Sequence, residues 1–398
     1  TAKSELARRM SSLCEGRYFE RLLTRFSVPE ELFGPLSMTG LENDLYVRKI
    51  DGYLPTAEIA FVDEIFKANS AILNALLTIL NERLFDNGNE RLPAPLLCLV
   101  GASNELPESE ELDALYDRFL IRRQVSQVSS GQLARLARLA AGRKDAMEDD
   151  AASENGASSP EGVGKISMDQ FRNTAEEAYE AVDVPESVID ILTSLRDHLQ
   201  DKCEPPIYVS DRRFMKAVQM LQVAAHADGR TEVNEYDALL LEHVFGNRPD
   251  DSQKVRSYVL ETIASDPGLQ QAGLMFLGLF GRAIRILDSE SSDELSEVQE
   301  EVSSLVELLE TRHSGLTKTM DGQFPQLRST VWHSQESVQA AVQALTPQMT
   351  ENKKKLEELY RESYLLKTCL DRATSSSVLE RLLPKRYKQY QKGISGKA

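Results

Sequence analysis

The run Ile59-Ala60-Phe61-Val62 contains no polar residue and ends in the paired acids Asp63-Glu64. Four successive apolar residues cannot alternate between a wet and a dry face. The segment therefore predicts a strand covered on both sides, as in a parallel sheet packed between helices. A second run, Leu96-Leu97-Cys98-Leu99-Val100-Gly101-Ala102, has the same character and ends in Ser103-Asn104. An apolar strand that stops at two carboxylates suits nucleotide hydrolysis. Asp63 can hold the hydrated Mg²⁺ of Mg·ATP, and Glu64 can orient and activate the water that attacks the γ-phosphate. Asn104, at the end of the second strand, is placed to hydrogen-bond that phosphate or that water.

The first residues, Thr1-Ala2-Lys3-Ser4, lead into a helical pattern over Glu5-Leu6-Ala7-Arg8-Arg9-Met10. In a phosphate-binding loop handing over to its helix, Lys3 would reach the β/γ-phosphates and the Ser4 hydroxyl would bind Mg²⁺. The helix N-terminus would add unpaired N–H groups to the anion site. The glycines expected ahead of Lys3 are missing, and Ala2 stands where the general pattern has its second Gly. The chain thus reads as starting inside the loop, without the strand before it; the expectation is that this polypeptide binds ATP poorly or not at all and that ATP hydrolysis belongs to the full-length protein. Further on, Ile72, Leu73, Leu76, Leu77 and Leu80 recur at helical spacing between Asn69 and Arg83. Asn87-Gly88 predicts a tight hairpin whose two central residues need positive φ. Arg118, in Asp117-Arg118-Phe119, can point outward into a neighbour's site; the alternative is a surface ion pair with Asp113 or Asp117.

Together these segments resemble the AAA+ ATPases, and within them the MoxR family, especially its RavA-like branch. The resemblance rests on four segments. They are Glu31 to Ser37, Gly52 to Glu64, Asn74-Ala75-Leu76-Leu77-Thr78-Ile79-Leu80-Asn81-Glu82-Arg83, and Tyr116-Asp117-Arg118-Phe119. Val209-Ser210-Asp211-Arg212-Arg213-Phe214, with Ala224, Gly229-Arg230 and Asp237 to Leu240, looks like the family's lid. The resemblance implies an α/β P-loop NTPase core with a parallel sheet, followed by an α-helical lid and an all-α C-terminal region. It places Lys3 and Ser4 in Walker A, Asp63 and Glu64 in Walker B, Asn104 at sensor 1 and Arg212 at sensor 2. Arg213 competes with Arg212 for the sensor role. Arg118 would be the arginine finger acting in trans, with Arg122 and Arg123 as alternatives. ATP and Mg²⁺ are the implied cofactors, and a homo-oligomeric ring, a hexamer, the implied assembly. Hairpins within Phe33 to Leu54 and Phe85 to Leu92 are candidates for partner contact.

Composition narrows the function. Lys and Arg number 46 against 63 Asp and Glu, a formal charge of −17. That balance repels a phosphate backbone and disfavours a nucleic-acid partner. No apolar run approaches the ~20 residues that span a bilayer. Cys14, Cys98, Cys203 and Cys369 are far apart and read as reduced thiols of a soluble, intracellular, cytoplasmic protein. The five histidines are equally scattered, which leaves neither zinc nor a His-based triad supported.

The expected organisation is an αβ core over 1–140, an acidic disordered linker over 141–165, a helical lid over 166–248 and a helical region over 249–398. Ile121 to Val125 reads as the last core strand and Gly131 to Leu139 as a helix. Three apolar stripes follow in the C-terminal region: Leu295, Val298, Val302, Leu305 and Leu309; Val338, Val342, Leu345 and Met349; and Leu356, Leu359, Leu366 and Leu370. Ser363 falls where an apolar residue would complete the third. These helices would form an internal bundle or present a face to a partner. Lys385, Arg386, Lys388, Lys392 and Lys397, interleaved with Tyr387 and Tyr390, read as a solvated or disordered tail. The function implied is ATP-driven remodelling of protein complexes or assistance in metal or cofactor insertion. The alternatives are a nucleotide-gated scaffold with negligible hydrolysis and a motor subunit of chelatase or helicase type.

Overall fold

The computed structural model describes residues 2–125, 133, 137, 165–289, 292–322, 324–372 and 374–395. The expected acidic linker, and most of the helix expected over Gly131 to Leu139, lie outside the described residues. In chain order the first elements are α1 (Ala2–Leu13), β1 (Tyr18–Leu22), α2 (Pro29–Phe33), α3 (Met38–Leu41), β2 (Ile59–Asp63), α4 (Ser70–Glu82), β3 (Leu84–Asn87), β4 (Glu90–Pro93), β5 (Cys98–Gly101) and α5 (Glu110–Tyr116). Then come α6 (Met168–Ala181), α7 (Glu186–Asp197), α8 (Asp211–Ala227), α9 (Asp251–Ala264), α10 (Pro267–Ser289), α11 (Ser292–Asp321), α12 (Gln335–Asp371), α13 (Ser376–Leu382) and α14 (Pro384–Ser395). The chain divides into two compact units. One takes Thr1–Asp183, Tyr208–Thr231 and His243–Pro249; the other takes Val184–Ile207, Glu232–Glu242 and Asp250–Ala398.

In the first unit, β1, β2 and β5 form a parallel sheet with β2 in the middle, in register Tyr18↔Ile59 and Ile59↔Cys98. Ile59 to Val62 are all buried, as an unbroken apolar strand between two helical layers requires. Helix α4 begins at the cap Asn69, whose Oδ1 accepts from the Ile72 N–H at 3.0 Å. It buries Ile72, Leu73, Leu76 and Ile79 along one face and ends at Arg83 in the left-handed conformation. Fully burying a side chain such as Ile72 or Leu76 contributes about 1.5–3 kcal/mol.

The hairpin forms as β3 and β4, but its turn is shifted by one residue from the expectation. Asn87 pairs with Glu90, so Gly88 and Asn89 are the central residues, and of these only Gly88 has positive φ, at 67°. Glycine first is the pattern of a type II′ turn. The shift leaves the Asn87 side chain available to the other predicted hairpin segment. Its Oδ1 accepts from Arg48 N at 2.6 Å and its Nδ2 donates to Arg48 O at 3.2 Å. That segment closes through an antiparallel bridge between Leu36 and Arg48. Gly34, at φ 91°, permits the closure, because a Cβ there would lie 1.9 Å from the Lys49 carbonyl oxygen.

The strand expected over Ile121 to Val125 is not formed. Ile121 and Val125 are exposed, and Arg122 N donates instead to His243 O at 2.7 Å. Arg122, Arg123 and Gln124 leave this segment too few apolar residues to be covered on both faces of a central sheet.

The second unit is helical among the described residues and centres on α10, α11 and α12. The first predicted stripe holds: Val298, Val302, Leu305 and Leu309 are buried on α11. The second and third stripes are one helix, because α12 runs 37 residues and continues through Pro347. Asn352 fills the step between Met349 and Leu356. It is buried, and its Nδ2 donates to Ala264 O at 2.6 Å, which satisfies a carbonyl at the last residue of α9. Ser363 sits where the apolar pattern breaks, 0% exposed, with no hydrogen-bond partner for Oγ. Ser363→Ala should therefore leave stability unchanged or raise it by up to about 1 kcal/mol, checked by chemical denaturation. A clear destabilisation would show that the hydroxyl is satisfied after all.

Over the described residues 384–395 the basic tail is helical, contrary to the expectation of a solvated end, and Lys397 lies outside the described residues. It forms α14, with Tyr387 and Tyr390 packed on the core of the second unit and Arg386 Nε donating to Glu362 Oε2 at 2.8 Å. The interleaved aromatic residues supply the apolar face that a purely basic tail would lack.

Candidate active site

The C-terminal ends of the parallel strands gather the predicted residues from distant parts of the chain. After Asp63 the backbone turns sharply, with Glu64 in the left-handed region at φ 54° and ψ 42°. Such a conformation is uncommon for a residue with a side chain and concentrates at functional positions. The turn is held by Ile65 N donating to Ala102 O at 3.0 Å and by Glu64 N donating to Asp63 Oδ1 at 3.0 Å. Glu64 is 9% exposed, and its carboxylate is engaged at both oxygens. Asn104 Nδ2 donates to Oε1 at 2.5 Å, and Lys67 Nζ, from the 3-10 turn Ile65–Lys67, approaches Oε2 at 3.3 Å. Lys3 closes the group from the first turn of α1. Its Nζ donates to Asn104 Oδ1 at 3.3 Å and to Ser103 O at 3.3 Å. Ser4 lies beside Lys3 in that same turn.

A magnesium–nucleotide complex fits this donor set. Among the described residues no cluster of three or more His, Cys, Asp or Glu forms a metal cage. Mg²⁺ rarely needs one, since one or two carboxylates, water and the nucleotide's own phosphates complete its octahedron. Asp63 is partly exposed at a strand end, with Oδ1 turned toward its own chain by the Glu64 N–H. It can supply the single carboxylate such an ion requires.

The predicted arginines form a separate hydrogen-bonded group. Ser210 caps α8, and the next residues meet Asp117 at the end of α5. Arg212 Nη2 donates to Asp117 Oδ2 at 2.7 Å, and Arg213 Nη2 to Asp117 Oδ1 at 2.5 Å. Arg213 is only 4% exposed and also donates to Asn247 Oδ1 at 2.9 Å. Burial alone would push the Asp117 carboxyl up. The Arg213 charge outweighs it, together with hydrogen bonds from Arg213, Arg212 and Ser210, and holds Asp117 below the usual carboxylate range. Arg118 does not pair with Asp113 or Asp117. Its Nε donates to Asn81 Oδ1 at 3.0 Å and its Nη1 to Ala114 O. Arg212 Nη1 donates to that same Asn81 oxygen at 3.1 Å.

These contacts separate the arginines by availability. Arg213 is fixed by a nearly buried ion pair. Arg122 is committed as well, donating to Tyr116 O at 2.9 Å and Asn247 Oδ1 at 2.6 Å with its guanidinium 3.9 Å from the Tyr116 ring centroid. Burial, followed by the Arg213 charge, brings Arg122 down to about 10. Arg118 and Arg212 keep more solvent contact, and Arg123 is exposed. Sequence reasoning missed Lys67, Asn81, Asn247 and the role of Asp117 as anchor for two arginines. Asn81 and Asp117 lay inside the motifs that carried the resemblance, but a one-dimensional motif does not show what its polar members face.

Residues 1–165 match the model of the MoxR domain found in MoxR–vWA–β-propeller ternary systems, and residues 187–259 match an AAA lid domain. Two uncharacterized proteins of Methanocaldococcus jannaschii are similar. One is 44% identical over 252 residues, which are 63% of this chain and 60% of the relative. The other is 43% identical over 256 residues, 64% of this chain and 63% of the relative. The chain thus spans about three fifths of the length of these relatives. A crystal structure from Cytophaga hutchinsonii covers 66% of this chain and 80% of its own, with 14% identity and a TM-score of 0.45. The sheet of parallel strands accords with both matched models, and over residues 1–165 and 187–259 the chain is similar to a MoxR domain followed by an AAA lid.

Proposed function

We propose that this protein at its full length hydrolyses ATP within a homo-oligomeric ring, a hexamer of RavA-like type, and uses the energy to remodel protein complexes or to assist metal or cofactor insertion. The observation that carries the reading is the hydrogen-bonded series Lys3–Asn104–Glu64, three residues up to 101 positions apart that converge at the strand ends. In this reading Lys3 binds the β/γ-phosphates, and Asp63 with Ser4 holds Mg²⁺, which when bound would neutralise phosphate charge. Glu64 accepts the proton of the attacking water. Each carboxylate oxygen has one partner and a second lone pair for that proton, and of the two partners the partly exposed Lys67 at 3.3 Å is the weaker. Asn104 reports the γ-phosphate to Glu64, because one side-chain amide faces both Lys3 and that carboxylate. Arg118 acts from the neighbouring subunit on the charge developing at the phosphate. Arg212 is the sensor 2 arginine, since Arg213 is committed to a nearly buried pair.

The domain plan under this reading is a core over 1–140, an acidic linker over 141–165, a lid over 166–248 and a helical region over 249–398. The hairpins and the C-terminal helices are the surfaces for protein substrates or partners. The formal charge of −17 favours a protein rather than a nucleic acid in that place. No described helix is long and apolar enough to cross a membrane. An intracellular location accords with four cysteines that are all free.

The test is steady-state phosphate release measured across a range of protein concentrations. Turnover per subunit should rise with concentration and level off as the assembly fills, because a finger supplied in trans works only between subunits. A concentration-independent rate would remove the ring from the mechanism, and no release at any concentration would remove the hydrolysis.

A further inference from the structure

The second hydrogen-bonded group contains a feature that the motor reading does not require. Arg118, at the end of α5, and Arg212, in the first turn of α8, both donate to one atom, Oδ1 of Asn81. An amide oxygen has two lone pairs, and here two guanidinium groups use them. Asn81 is the penultimate residue of α4, the helix that starts at Ser70, six residues after Glu64. Asparagine is a poor helix former and is exposed here, so neither helix propensity nor burial accounts for it.

Two positive side chains held on one atom repel one another. After burial, the charge of Arg212 is the next factor holding Arg118 below its ordinary value. Asp117 offsets the repulsion for Arg212, which it binds at 2.7 Å. Arg118 differs, because both of its acceptors, Asn81 Oδ1 and Ala114 O, are neutral. A neutral acceptor fixes direction without the full hold of an ion pair, and a dianionic phosphate oxygen easily outcompetes it.

We propose that Asn81 is a positioning residue for hydrolysis, holding Arg118 and Arg212 side by side on its Oδ1 atom and presenting them as a pair to the terminal phosphate of a nucleoside triphosphate. The inference rests on the proposed ATPase reading. It adds a residue that touches neither nucleotide nor water and acts only through the two arginines.

Two measurements on the full chain test it. In the nucleotide-free protein, labelling with phenylglyoxal, an arginine-selective reagent, followed by peptide mapping, should be several-fold faster at Arg118 and Arg212 in Asn81→Ala than in wild type. Labelling at the nearly buried Arg213 should not change. Asn81→Asp, which keeps an oxygen in the same place, should restore the protection. In steady-state kinetics, Asn81→Ala should lower kcat about tenfold, the rate equivalent of one ordinary hydrogen bond, with KM and melting temperature unchanged. In a double-mutant cycle, its cost should shrink in the Arg118→Ala background and disappear when Arg212→Ala is added as well. Unchanged labelling in Asn81→Ala overturns the inference, as does a loss of kcat that persists in full beside Arg118→Ala, or one that tracks a fall in melting temperature. If wild type itself shows no turnover, the ATPase reading fails and the proposed role fails with it. The labelling result then reports separately whether Asn81 holds the arginines.

Discussion

Arg118→Ala should lower ATP turnover by about 10³–10⁵-fold, the range that arginine fingers supply in other phosphoryl-transfer enzymes, while the subunit stays folded. The structural cost is small because Arg118 bonds only to Asn81 Oδ1 and the Ala114 carbonyl. Both acceptors lie near solvent and can turn to water. Arg213→Ala would be a poor substitute for this experiment, since it strips a partner from Asp117 in a nearly buried pair and confounds catalysis with stability. Phosphate release by Arg118→Ala, beside a thermal melt, reads the two effects separately. Turnover at the wild-type level would remove Arg118 as the finger and leave the exposed Arg123 as the nearest candidate. Mixing makes the in-trans part testable. Subunits carrying Arg118→Ala still offer Glu64, and subunits carrying Glu64→Gln still offer Arg118. An equal mixture that assembles at random in a head-to-tail ring should regain about a quarter of wild-type turnover. A finger acting within its own subunit would regain none.

Glu64→Gln should reduce turnover about 10²–10⁴-fold, the usual worth of a positioned general base, and leave ATP binding in place. Glutamine keeps the shape of the side chain and an oxygen that can accept from Asn104 Nδ2, so the left-handed turn at residue 64 stays supported. It loses the charge that draws Lys67 to 3.3 Å and the basicity that accepts the proton of water. The groups proposed to bind nucleotide, Lys3, Ser4 and Asp63, are untouched. Fluorescent-nucleotide binding at the wild-type level with turnover abolished is the expected pair of results. Binding and turnover lost together would mean that Glu64 holds the loop in shape and leave the base unassigned. Turnover retained would move the water-activating role to another group.

Much of the first unit was legible because its signals are local. An unbroken apolar run predicts a doubly covered strand, and β2 is one; β5 forms in parallel register as expected but lies at the edge of the described sheet, with Cys98 exposed and the rest of the strand only partly buried, so the double cover expected there is not found. The cap at Asn69 and the apolar periodicity of α4 fixed that helix to within a residue of its observed limits. The turn at residue 88 was missed by one position because Asn87-Gly88 and Gly88-Asn89 both satisfy the turn chemistry. Pairing of Asn87 with Glu90, and the bonds of the Asn87 side chain to Arg48, selected between them. The strand expected over Ile121 to Val125 failed for the opposite reason. Its flanking apolar residues suggested a short strand, yet Arg122 has better partners in Tyr116 and Asn247 than a sheet neighbour offers.

In the second unit, heptad spacing revealed the helices but not their number. The stripes Val338 to Met349 and Leu356 to Leu370 read as separate runs, and Pro347, inside the first of these two, would ordinarily end a helix. Tertiary packing against α11 and the bond from Asn352 to Ala264 keep α12 continuous across it. The tail shows the same limit, as its charge was evident and the apolar surface receiving Tyr387 and Tyr390 was not.

The sequence by itself determined the strand ends and the acids and the amide at those ends, because each is a property of neighbouring residues read against backbone periodicity, while the candidate lid arginines came from the resemblance to a family. The tertiary structure alone decided which of those groups meet. It joined Lys3 to Asn104 and Glu64, gave Asp117 to Arg212 and Arg213, and left Arg118 on the neutral oxygen of Asn81. The physical reason is that one carboxylate serves only so many donors at hydrogen-bond distance. The outcome of that competition depends on three-dimensional placement and desolvation, which no linear motif encodes.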